Sequence, residues 1–130
     1  MLKAGILNPH INSLVSRVRH TNMLVISDMG FPFWPMIETV DISLVAGVPS
    51  VLQVLESLLA NFTVGQAYMA EEFLAHNPDS ARAEVTAALG TVPLAFEPHE
   101  AQFKKRVPHA IGLIRTGDTT PYANIILVSA

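Results

Sequence analysis

The chain has no cysteine, which excludes a disulfide scaffold and any thiolate metal site and is compatible with a reducing cytoplasm. Charge is also scarce. Only 15% of its residues are charged, against about 25% in typical soluble domains. The net charge of -3 and pI near 5.9 give nothing that would steer the chain to nucleic acid or an anionic membrane. Its one basic cluster, Lys104-Lys105-Arg106, reads as the end of a short helix, where cations offset the helix dipole. A membrane-spanning run is missing too. Residues 42 to 60 form the most apolar window, but Pro49, Gln53 and Glu56 interrupt it. The start, MLKAGILNPHINSL, lacks the continuous apolar core of a signal peptide. A cytoplasmic protein without membrane or nucleic-acid partners is expected.

Several catalytic motifs are absent as well. There is no GxGxxG and no GxxxxGK[ST], so nucleotide cofactors have no phosphate cradle. No GxSxG elbow occurs, and no His pair has the i, i+2 or i, i+4 spacing of a zinc site. With no Cys and no evidently activated Ser or Lys, covalent catalysis has little support. Imidazole and carboxylate remain, which suit proton transfer near neutral pH. Neither a cofactor nor a metal is expected.

What is present is apolar. Hydrophobic residues make up 50% of the 130, a length that fits one domain. So much apolar surface with so little charge points to an obligate interface, hence a homo-oligomer. Asn8-Pro9 opens a helix that ends close to His20, and residues 22 to 27 read as a strand. A short strand is expected over Val40 to Val45. Ser50 with Gln53 has the capping-box pattern that starts a further helix. A strand over Val64 to Met69 leads into Glu71-Glu72-Phe73-Leu74, and Asn77-Pro78-Asp79 starts the next helix, ended by Gly90. Pro93 to Phe96 reads as a strand and His99 to Val107 as a helix stopped by Pro108. Ile111 to Arg115 and Ile125 to Val128 are the last strands, joined by the turn Gly117-Asp118. Alternating helices and nearly all-apolar strands predict a single-domain α/β layered fold with a largely parallel sheet flanked by helices.

In such sheets, ligands bind beyond the carboxyl ends of the strands. Asp28 and His99 lie at such ends. The stretch RHTNMLVISDMG poses a difficulty, because His20 and Asp28 flank the same strand and cannot meet along it. Either His20 is incidental, or a bend or a second subunit completes the cleft. The bland alternatives are a solvated loop histidine and an aspartate that only shapes a turn. His10, His76 and His109 sit beside Pro or Asn in turns and read as incidental. In RTGDTTPYANIIL, Tyr122 and Asn124 occupy alternate positions at the mouth of a strand, which period two would place on one face.

Taken together, GILN at 5 to 8, RHTN at 19 to 22, SDMGFP at 27 to 32, VDISLVAGVPS at 40 to 50, AEEF at 70 to 73, HEAQFK at 99 to 104 and RTGDTTPYANIIL at 115 to 127 resemble the ribose pyranase and fucose mutarotase family. The resemblance runs in family order over essentially the whole chain and is nearer the ribose pyranase branch. It implies interconversion of ring and anomeric forms of a monosaccharide such as D-ribose, with no cofactor. It implies a catalytic His20, sugar contacts from Asp28, His99 and Tyr122-Ala123-Asn124, and ring-shaped homo-oligomers, often decamers, with sites between subunits. The loop FPFWPMIETVD departs from the family pattern, and Trp34 is expected to reshape the sugar pocket. A different class, a non-catalytic sugar-binding accessory of a transport system, would use the same residues.

Overall fold

The computed structural model describes residues 1–130. Its first helix, α1 (Pro9–Ser16), starts where Pro is harmless in the first turn, and the Asn8 side chain accepts hydrogen bonds from the His10 and Ile11 amides. It ends earlier than expected, so His20 lies in the turn that follows. Strand β1 (Met23–Ser27) is next, and then β2 (Glu38–Asp41). The second strand stops short of Val45. The Asp41 carboxylate binds both the amide and the hydroxyl of Ser43, closing a turn that a ladder cannot pass.

Helix α2 (Val51–Leu59) carries the full capping box, with the Ser50 hydroxyl on the Gln53 amide and the Gln53 side chain on the Ser50 amide. Strand β3 (Val64–Ala70) runs directly into α3 (Glu71–His76), and α4 (Asp79–Leu89) ends at the positive-φ Gly90. Two helices stand where the sequence shows one clear start. Asn77 precedes a proline and is therefore extended, which splits them. Strand β4 (Leu94–Glu97) leads into His99–His109. That stretch is no single α-helix: it begins as a π-helical turn over His99–Phe103, continues as α5 (Lys104–Arg106) and closes as a 3₁₀ turn that contains Pro108. Strands β5 (Gly112–Arg115) and β6 (Ile125–Ser129) complete the chain.

One six-stranded sheet has the order β2-β5-β1-β6-β3-β4. All neighbours are parallel except those of β6, which runs antiparallel to both β1 and β3. The largely parallel α/β expectation therefore holds. The last two strands are not paired with each other, however, because β1 lies between them. The apolar runs are explained by burial on both faces. Leu24 and Ile26 of β1 pack with Leu14, Leu55, Leu58 and Leu89 from the helices of one layer, whereas Val25 between them packs with Phe103 and Val107 of the other.

Gly117 ties the loop after β5 to the turn before α2. Its amide donates to Pro49 O (3.0 Å) and its carbonyl accepts from Gly47 N (2.6 Å). A Cβ there would collide with the carbonyl oxygens of Val45 and Val48, which are backbone atoms with no rotamer to yield. Gly117→Ala is expected to cost ~1–3 kcal/mol, as overpacking does, read as a lowered thermal melting temperature. An unchanged melt would mean that the 45–48 turn moves freely.

Candidate active site

The position of β6 builds the site. In the antiparallel ladder Ile26 faces Ile125, so the start of β6 meets the end of β1. Asn124, one residue before β6, thus reaches Asp28, one residue after β1. The contact is reciprocal: Asp28 N donates to Asn124 Oδ1 (2.8 Å), and Asn124 Nδ2 donates to Asp28 Oδ2 (3.2 Å). Gly30 N donates to the other carboxylate oxygen at 3.0 Å. The same sheet edge receives the carboxyl ends of β3, β4 and β5, which bring α3, His99 and Asp118.

Asp118 is buried and holds the floor of this edge. Its carboxylate accepts from Val51 N (2.8 Å) at the start of α2 and from Thr120 N (2.7 Å), and its carbonyl accepts from Met29 N (3.0 Å). Thr116 supports it, donating to Ser27 O (2.8 Å) and accepting from Asp118 N (3.1 Å). In the sequence these residues read only as a turn.

Burial pushes the Asp28 carboxyl above its ordinary value of 3.8; hydrogen bonds from Gly30, Asn124 and Phe31 oppose that shift, and the charge of Asp118 adds to it. Between 3.8 and the raised value, the folded chain keeps a proton that the unfolded chain has released. Stability from this group is therefore present at low pH and declines as pH rises through that interval. Carboxyl ¹³C NMR is expected to show a titration with its midpoint above 3.8 that disappears in Asp28→Asn. A midpoint at or below 3.8 would mean that the hydrogen bonds outweigh burial.

His99 is buried under an aromatic roof. Its ring stacks on Phe103 (5.7 Å between centroids) and meets the edge of Tyr122 (5.1 Å, 86°), with Phe31 at 6.2 Å. Its amide donates to both oxygens of Glu72 (3.0 and 3.2 Å), which fixes the first turn after β4. Nδ1 lies 3.5 Å from Glu100, and Nε2 is buried with no hydrogen-bond partner in the chain. Trp34 packs against Phe31 (5.9 Å), so the departing loop touches this roof through Phe31.

Tyr122 and Asn124 do not share a strand face. A turn over residues 120 to 123, closed by Ala123 N on Thr120 O, precedes the strand, and Tyr122 has φ +56°, so the two side chains diverge, one towards His99 and the other to Asp28. Ala123 is buried between them. His76, which reads as incidental, stacks on the Tyr122 ring at 5.1 Å and 29°. His10 and His109 are exposed.

His20 is not in this cluster. It is exposed at the amino end of β1, while Asp28 lies at the other end of the same strand. Its turn is nevertheless well defined. Thr21 has φ +68°, a costly conformation for a β-branched residue. Asn22 Oδ1 accepts from Arg19 N (2.8 Å), and Thr21 N donates to Ser129 O (3.0 Å) at the end of β6. The two non-glycine residues with positive φ, Thr21 and Tyr122, thus flank or form predicted site positions.

The largest cavity, about 820 Å³, lies between the segment from Gly5 to Ile11 and α2, away from these groups. Beside Asp28 there is an open depression of about 170 Å³, lined by Asp28, Asp118, Thr119 and Thr120 together with Met29, Gly30 and Pro121. Asp28, whose carboxyl burial pushes above its ordinary value, faces the smaller one.

Residues 1–130 match the family model described as the RbsD / FucU transport protein family. A D-ribose pyranase of Chromobacterium violaceum is 44% identical over 130 residues, covering 99% of this chain and 97% of its own. One of Geobacillus kaustophilus is 43% identical over 129 residues, covering 99% and 93%. The solved structure of Bacillus subtilis RbsD complexed with D-ribose superposes with a TM-score of 0.92 at 32% identity, covering 100% of this chain and 98% of the other. The fucose mutarotase of Streptococcus pneumoniae in complex with L-fucose gives 0.78 at 19% identity, covering 99% and 98%, a likeness of fold alone.

Proposed function

The chain belongs to the RbsD / FucU transport protein family, and we propose on that footing that it is a cofactor-independent isomerase of the D-ribose pyranase type. It interconverts the pyranose and furanose rings, and the anomers, of a monosaccharide such as D-ribose. The observation that carries this reading is the meeting of Asp28, Asn124, His99 and Tyr122 at one sheet edge, in a fold that matches a ribose-bound relative over its full length.

The chemistry is proton transfer. An acid protonates the ring oxygen while a base removes the proton of the anomeric hydroxyl, and the ring opens. Reclosure on the other face gives the other anomer, and reclosure through another hydroxyl changes the ring size. His20 takes the acid role in this proposal. Asp28, polarised by Asn124 and Gly30, His99 through its unpaired Nε2, and the Tyr122–Asn124 turn bind the sugar hydroxyls.

His20 and Asp28 lie at opposite ends of β1, so the proposal includes a homo-oligomer in which one subunit's His20 faces a neighbour's Asp28. The ring-shaped decamer of the family resemblance is the arrangement adopted here. Exposed Leu7, Phe33, Leu44 and Val45 support it, since an interface would cover them. Residues 1–130 act in it as one sugar-isomerising unit. No helix is long and apolar enough to cross a membrane, and a cytoplasmic location belongs to the same proposal.

Saturation-transfer NMR on a panel of pentoses and hexoses tests the reading. An isomerase exchanges magnetisation between sugar forms, whereas a sugar-binding accessory of a transport system does not. Exchange is expected to survive exhaustive chelation; loss of exchange that zinc restores would require a different chemistry.

A further inference from the structure

Helix α3 sits beside the site, although none of its residues reads as a site residue in the sequence. It is a short helix anchored by the buried Phe73. From it Glu72 reaches forward to bind the His99 amide. One turn later, on the same side of the helix, His76 lays its ring on Tyr122. The next residue, Asn77, donates to Phe73 O (2.9 Å) and to Pro121 O (2.8 Å), which clamps the peptide just before Tyr122.

Tyr122 needs such support. Its φ of +56° lies in the left-handed region, which side chains other than glycine rarely adopt and which persists only where the surroundings impose it. Two imidazoles contact its ring, His76 stacked at 29° and His99 nearly perpendicular at 86°, each with centroids 5.1 Å away. His99 is fixed by burial. His76 is exposed, and the contact it makes with the tyrosine is the ring stack.

We infer that His76 is a positioning residue of the sugar site, holding the Tyr122 ring by stacking in the orientation that meets the sugar. The inference rests on the isomerase reading. Its element is the face of an aromatic ring, and its effect passes through Tyr122. An exposed side chain at the end of a short helix contributes little to global stability, so its removal leaves the fold intact.

The test is a double-mutant cycle on sugar exchange. His76→Ala is expected to lower kcat/KM about threefold to tenfold, the size of a lost aromatic contact. In the background of Tyr122→Ala the same change is expected to cost less than about 1.5-fold, because the ring it positions is gone. His76→Phe, which keeps the ring face and discards the nitrogens, restores the rate. Equal losses in both backgrounds, or a Phe variant as slow as the Ala variant, would overturn the inference. The Tyr122 ring proton shifts in NMR, recorded without sugar, give an independent readout: they move in His76→Ala and return towards wild type in His76→Phe. Unmoved shifts would also overturn the inference. Wild-type exchange judges the isomerase reading separately, since a chain that exchanges no sugar fails that reading whatever the ring shifts report.

Discussion

Replacing His20 with Ala lowers sugar exchange by about 10²–10⁴-fold, the usual worth of a general acid or base, while sugar binding and assembly stay close to wild type. A proton donor acts on the transition state more than on the bound sugar, so kcat and kcat/KM fall together and the binding constant hardly moves. The fold has little to lose, because the side chain is exposed in a turn whose hydrogen bonds come from Asn22 and from the backbone of Thr21 and Ser129. The pH–rate profile of the variant differs in shape from that of the wild type, because one acid–base group has been removed. Exchange rate against pH, with sugar binding measured in parallel by titration, checks this. Near wild-type exchange with an unchanged profile would make His20 a structural residue and His99 the better candidate.

The second large effect is a recovery. His20→Ala and Asp28→Asn are each expected to be nearly inactive as pure assemblies. Co-expressed in equal amounts, they form mixed oligomers, and in a head-to-tail ring roughly a quarter of the interfaces would pair an intact His20 with an intact Asp28. Exchange therefore rises well above that of either variant. β1 separates the two positions within a chain, so complementation follows only if the site is shared between subunits. Light scattering on the same samples reports several subunits per particle. A mixture no more active than its components, or a 14.1 kDa monomer, would sink the shared-site proposal.

Asp28 shows how function and stability pull apart at this edge. Its burial raises the energy of the charged form, and Asn124 and Gly30 hold that form in place. A more exposed aspartate would be cheaper to keep, but it would lose the desolvated setting in which the hydrogen bonds proposed to a sugar would be strong. The strained backbone at Tyr122 and Thr21 belongs to the same pattern, in which local cost is concentrated at proposed site positions.

Much of the architecture could be read locally. Asn8 and Ser50 cap α1 and α2 as their side chains dictate, and the apolar runs of β1 and β6 forecast strands covered on both faces. The differences were local as well. The Asp41–Ser43 turn cut β2 short, and Glu71–His76 forms a helix of its own ahead of the one that starts at Asn77-Pro78-Asp79. His76 read as incidental because an exposed histidine beside Asn-Pro carries no signal until its ring is found on Tyr122.

By itself the sequence determined the chemistry on offer: imidazole, carboxylate and hydroxyl, no thiol, and an apolar excess that asks for both sheet faces to be covered. These follow from side-chain identity and short-range periodicity, which any local stretch carries in full. Only the tertiary structure decided which groups meet. Inserting β6 antiparallel between β1 and β3 puts Asn124 against Asp28, gathers His99 and Tyr122 at that edge, and leaves His20 at the far end of β1. That insertion is settled by packing Ile125, Ile126 and Leu127 against residues far away in the chain, an energy summed over two layers that no single stretch contains.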